Sequence, residues 1–181
     1  MEHRYLALLM PPGHEAGPPP ETAQALAAAG LVSCVSTPRL HIFCEPSFQP
    51  QRISDGAWVI GHLFPKHPDA SAAVLSKAAA PLHQGLLAHY WGEYVLIEHS
   101  VDDAIRVLRS PSGGVACMHG DADGWGFITS DVSLALCAGL CERRVDWEYI
   151  VQALNFTHLH TTRTGIDGVA ELLPGCMLTL G

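Results

Sequence analysis

The sequence predicts an α+β fold built on antiparallel strands. Short apolar runs of strand length recur along the chain, two pairs of them flank tight polar turns, and windows with helix caps or helical periodicity stand between them. At 181 residues, 48% hydrophobic and only 15% charged, the chain is long enough for one sizeable core. A single domain over 1–181 is the expectation.

The elements follow in order. Tyr5 to Met10 reads as a first strand, stopped by Pro11-Pro12-Gly13, and the segment 11–21 is rich in Pro and Gly and reads as an exposed loop. Alanines favour a helix over Thr22 to Ala29, with Gly30 as its stop. Leu31 to Ser36 and Arg39 to Cys44 are two strands around Thr37-Pro38, Ser47 to Asp55 is polar loop, and Gly56 to Phe64 returns to strand character. Asp69 is the N-cap for a helix over Ala70 to Ala80. Pro81 ends that helix or opens a second over Leu82 to His89.

The middle of the chain is β-rich. Strands over 90–99 and 104–110 flank the turn Val101-Asp102-Asp103, strands over 114–119 and 124–130 flank Asp121-Ala122-Asp123-Gly124, and a four-stranded meander is expected. A short helix follows over Asp131 to Leu140. Asp146 then caps another, in which Trp147, Ile150, Val151 and Leu154 fall at i, i+3, i+4 and i+7, the spacing of a core-facing stripe. Two apolar runs around Leu173-Pro174-Gly175-Cys176 close the chain on a strand-like segment.

The formal net charge of -8 argues against nucleic acid and anionic membranes as partners, although eleven histidines erode that charge as pH falls through about 6.5. The run Tyr5 to Met10 is too short and too poorly flanked for a signal-peptide core, and nothing reaches the ~18 apolar residues of a spanning helix. Leu31-Val32-Ser33-Cys34 matches a lipoprotein cleavage box, but Pro18-Pro19-Pro20 and Glu21 precede it instead of a basic start and an unbroken apolar run. A cytoplasmic location is expected. Six scattered cysteines indicate neither a disulfide framework nor a zinc site, and Cys137-x-x-x-Cys141 lacks a matching second pair. His158-x-His160 would place two imidazoles on one face of a strand, without an obvious third ligand. No metal site is therefore assigned.

Ser112-Gly113-Gly114-Val115 reads like the opening of the Ser-Gly-Gly-x-Asp-Ser loop with which ATP pyrophosphatases hold phosphate. Such a loop needs a helix directly behind it, and Val115 leads instead into Ala116-Cys117 and a strand. The two glycines read better as a connection between strands, where they supply positive φ.

The segments "YWGEYVLIE", "RVLRSPSGGVACMH", "FITSDVSLAL", "VDWEYIVQAL" and "TRTGIDGVAELLPGCML" follow one another between about Leu82 and Leu180. In order and spacing this half of the chain resembles the glutaminase-like domain at the N-terminus of asparagine synthetases, a class II amidotransferase domain of the N-terminal-nucleophile type. The resemblance implies a four-layer αββα sandwich with antiparallel sheets. It also implies a C-terminal synthetase domain, beyond this chain, that carries the ATP loop; ATP and Mg are expected there, and no cofactor in this domain.

The first half departs from that pattern where the chemistry would be. A glutaminase of this type needs a cysteine directly after the initiator Met, so that the freed α-amine serves as base beside the thiol; the chain begins Met1-Glu2-His3. A carboxylate at Glu2 cannot replace a thiolate against an unactivated amide, and a residue that bulky leaves Met1 in place. Of the Asn-Gly pair that would face the oxyanion, Gly61 is kept, but Ile60 stands where the Asn would fall. Losing one such donor costs about two to three orders of magnitude in rate. The segments that would grip glutamine have no clear counterpart. Glu2, Ile60 and Gly61 are thus vestigial positions, and no catalytic residue is assigned.

Relatives of asparagine synthetases that have given up glutamine adenylate a carboxylate and let an amine of the substrate attack it. "RYLALL" and "WVIGHLF" resemble the lasso-peptide macrocyclases of this kind, which implies a precursor peptide and its leader-processing proteins as partners. The alternatives are a β-lactam-synthetase-like or asparagine-synthase-related enzyme, an active glutaminase with another nucleophile, such as a chain cut to begin at Cys34, and a stand-alone peptide-binding module.

Overall fold

The computed structural model describes residues 3–11, 13, 17–67, 81–100, 102–122 and 124–180. It is α+β, with two antiparallel sheets and, among the described residues, four helices. The helices expected and observed agree at α1 (Pro20–Ala28), α2 (Leu82–His89), α3 (Val132–Cys137) and α4 (Trp147–Asn155). The helix proposed over Ala70 to Ala80, with its cap Asp69, lies outside the described residues.

The chain divides into two compact units. The first comprises Met1–Gln49 and Ala116–Leu173. Its sheet holds β1 (Tyr5–Leu9), β2 (Val32–Ser36), β3 (Leu40–Cys44), β8 (Met118–Ala122), β9 (Trp125–Thr129) and β10 (Val169–Glu171), in the order β10-β8-β9-β1-β3-β2. β1 is central, pairing β3 on one side and β9 on the other, and every one of its side chains is buried. Leu6, Leu8 and Phe127 pack with Leu26 of α1 and with Leu134 and Ala135 of α3. The sequence supplies clean stops for both helices. Gly30 takes φ +86° after α1, where its N–H donates to the Ala27 carbonyl, and Gly139 takes φ +72° after α3.

The second unit comprises Pro50–Val115 and Pro174–Gly181. Its sheet holds β4 (Gln51–Ser54), β5 (Ala57–Pro65), β6 (Tyr90–His99), β7 (Ile105–Arg109) and β11 (Met177–Leu180), in the order β11-β7-β6-β5-β4. One face of β5 and β6 carries Ala57, Val59, Tyr94 and Leu96, which pack with Leu86 of α2.

Several expectations are corrected. The meander is not one sheet: β6 and β7 pair in the second unit, β8 and β9 in the first. Alternation marks hairpins, but it does not say that consecutive hairpins share a sheet. The strand expected over 114–119 begins only at Met118; before it the Val115 carbonyl accepts from the Arg109 side chain and the Cys117 carbonyl from the Leu172 N–H. The polar stretch 47–55 contains β4, a short edge strand with a bulge between Arg52 and Ser54. The stripe on α4 is not core; no residue of that helix is buried. His158 and His160 are exposed and belong to no strand.

Candidate functional site

The second unit carries a cavity of about 640 Å³ on β5 and β6, within the range of small-ligand pockets. One glycine, Gly92, lines it, and a second, Gly61, precedes the wall residue His62 in β5. Gly61 in β5 takes φ +114° and Gly92 in β6 takes φ +140°. A Cβ at Gly61 would fall on the Glu93 carbonyl oxygen and come within 3.0 Å of Val115; one at Gly92 would fall on the His62 carbonyl oxygen. Only glycine lets the two backbones approach in this way.

The Ser112-Gly113-Gly114 loop, the phosphate-loop look-alike, clasps β6. The Tyr94 N–H donates to Ser110 Oγ at 3.1 Å, Ser110 Oγ lies 2.8 Å from Ser112 Oγ, and Ser112 Oγ donates to the Gly92 carbonyl at 2.8 Å. Because Ser112 gives its proton to Gly92, Ser110 must donate to Ser112, and the relay runs from Tyr94 back to Gly92 along one direction. The buried Arg109 fixes the other end of the loop. Its Nε donates to the Val115 carbonyl and its Nη2 to the Gly113 carbonyl, each at 2.9 Å. Gly113 has the positive φ the sequence suggests, +69°, and leaves room for Pro174. Gly114 is needed for a different reason: a Cβ there would collide with the Glu93 carboxylate.

Of the vestigial positions, Ile60 and Gly61 are adjacent in β5, whereas Glu2 lies outside the described residues. The Ile60 side chain is fully buried and its residue pairs with Val95. An apolar side chain has no N–H to offer a developing oxyanion.

The cavity walls combine aromatic rings with polar side chains. Phe64 and Trp91 face each other in register and stack with centroids 4.8 Å apart, at 45% and 58% exposure. Burial raises the Tyr94 phenol above its usual range, so it stays protonated at neutral pH. Lys66 Nζ donates to the Leu87 carbonyl at 2.8 Å. The Ser112 hydroxyl is spent on the Gly92 carbonyl, not on a general base.

Elsewhere, burial pushes the Cys44 thiol well up, with Cys34 as a further cause, and this keeps Cys44 unreactive. Among the described residues no three His, Cys, Asp or Glu side chains are grouped to hold a metal ion, and no helix is long and apolar enough to cross a membrane.

Reading the sequence missed Gly92, Glu93, Phe64 and Trp91. An isolated glycine inside the aromatic strand "YWGEY" was the available signal for a close backbone approach. The Phe64–Trp91 pairing needed the register of β5 against β6. No family model matches the chain, and no curated protein matches it significantly.

Proposed function

We propose that this chain is a catalytically silent, glutaminase-like domain of an asparagine-synthetase-family, ATP-dependent amide ligase of the lasso-macrocyclase type. Its role is to scaffold a C-terminal synthetase domain. The observation that carries the reading is Gly61: a glycine in a conformation only glycine holds easily, at the position the resemblance gives to the oxyanion pair, with buried Ile60 where the amide donor belongs. Two antiparallel sheets and helices that pack on them are compatible with the four-layer αββα sandwich of N-terminal-nucleophile hydrolases.

The chemistry follows from what is missing. On this reading the domain releases no ammonia from glutamine, and the amine comes with the substrate, as in a peptide that closes on itself. ATP and Mg belong to the synthetase domain. The apolar face of α4, with Trp147 at 70% and Leu154 at 76% exposure, supplies a surface for that domain to cover. The charge of -8 disfavours nucleic acid or anionic lipid as partners, and a cytoplasmic site of action fits.

The protein isolated from its own cells tests this. It should be well above the 19.4 kDa of this chain and exchange pyrophosphate into ATP in the presence of its peptide substrate. A protein of 19.4 kDa without that exchange would favour the stand-alone binding module.

A further inference from the structure

The cavity of the second unit joins an aromatic shelf to a carboxylate. Phe64 and Trp91 form the shelf, and Glu93, two residues along β6 from Trp91, lines the same cavity on the same face, opposite His62. The Glu93 side chain is laid over Gly114, a position where any larger residue would displace it. Aromatic faces present negative electrostatic potential, and an adjacent carboxylate adds a full negative charge. Leu87 and Pro111 supply apolar wall for a hydrocarbon stem.

From this arrangement we infer that the cavity recognises one arginine side chain of a peptide. The guanidinium would lie on the face of the Trp91 ring turned away from Phe64 and donate to the Glu93 carboxylate, while its methylenes cover the apolar wall. Arginine fits better than lysine because its planar head stacks on a ring and forks onto a carboxylate at once. An anionic side chain would meet Glu93 and the aromatic faces, both unfavourable. Lys66 also lines the cavity; its ammonium donates to the Leu87 carbonyl, and its charge opposes the guanidinium, which the Glu93 carboxylate has to outweigh. The chain's net charge of -8 favours a basic ligand in the same sense. This site stands on the second unit alone and does not depend on the ligase reading.

The test is a titration of this chain with acetyl-Leu-Arg-Leu-amide and with the same peptide carrying citrulline, which keeps the shape and removes the charge. Saturable binding of the arginine peptide is expected, with shifts of the Trp91 indole resonance. Binding should be about tenfold weaker for citrulline, and about tenfold weaker in Glu93→Gln and in Trp91→Ala. Equal binding of citrulline, an unchanged affinity in Glu93→Gln, or no saturable binding at millimolar peptide would overturn the inference. Because the readout is affinity, it is independent of glutamine turnover and of ATP chemistry.

Discussion

Helices α3 and α4 start alike and end in opposite environments. Each is capped by an aspartate, Asp131 accepting from the Ser133 N–H at 2.8 Å and Asp146 from the Tyr149 N–H at 3.0 Å, and both belong to the first unit. Leu134 and Ala135 of α3 are buried against Leu26 and Phe127, whereas α4 leaves Trp147, Val151 and Leu154 exposed. The periodicity of α4 is the stronger of the two as a pattern. An amphipathic stripe therefore shows that a helix has an apolar face to bury, and says nothing about which polypeptide buries it.

The largest test of this contrast is a pair of truncations. Leu134→Ala should cost about 2–5 kcal/mol by urea unfolding, and Leu154→Ala less than about 0.5 kcal/mol. Equal losses would mean that α4 is packed after all.

A smaller effect concerns pH. Burial lowers the pKa of His41 and His119, both in the first unit, below their ordinary 6.5. The unfolded chain then takes up protons before the folded one, so stability is fully present above pH 6.5 and declines as pH falls toward the folded-state values. Thermal unfolding between pH 7.5 and 5 should show the decline, and His119→Gln should flatten it.

The caps give the smallest differences. Asp131→Ala should cost about 1 kcal/mol, seen in the same unfolding assay. Asp146 behaves differently because Arg163, bonded to it at 2.6 and 2.9 Å, and the Tyr149 N–H hold its carboxyl below the usual range. Its support of α4 is present above the ordinary aspartate pKa and is lost as pH falls through the lowered one. Amide exchange across 147–155 should therefore quicken in acid, and Arg163→Gln should move that onset to higher pH.

Much of the fold was legible because its local signals are strong. The helix stop at Gly30, the cap at Asp146 and the strand limits of β6 could be placed from residue chemistry alone, whereas the cap role of Asp131 and the stop at Gly139 fall inside the one helix expected over Asp131 to Leu140. Sheet membership could not, since β7 and β8 are neighbours in sequence but pair in different sheets, and pairing partners are set by tertiary packing. Of the candidate site, the sequence made legible the Gly113 turn beside it. Phe64 and Trp91 looked like ordinary strand aromatics until the β5–β6 register set them face to face, and nothing in the sequence showed that Arg109 would donate to the loop carbonyls of Gly113 and Val115.

The proposal under test is that the domain has the architecture of a glutaminase without its chemistry. Glutamate release from glutamine by purified protein, with the intact N-terminus weighed on the same sample, tests it most directly. The account predicts no release above the uncatalysed background and an N-terminus at residue 1 or 2. Turnover, or an N-terminus at Cys34, would contradict it and make this chain a processed amidohydrolase.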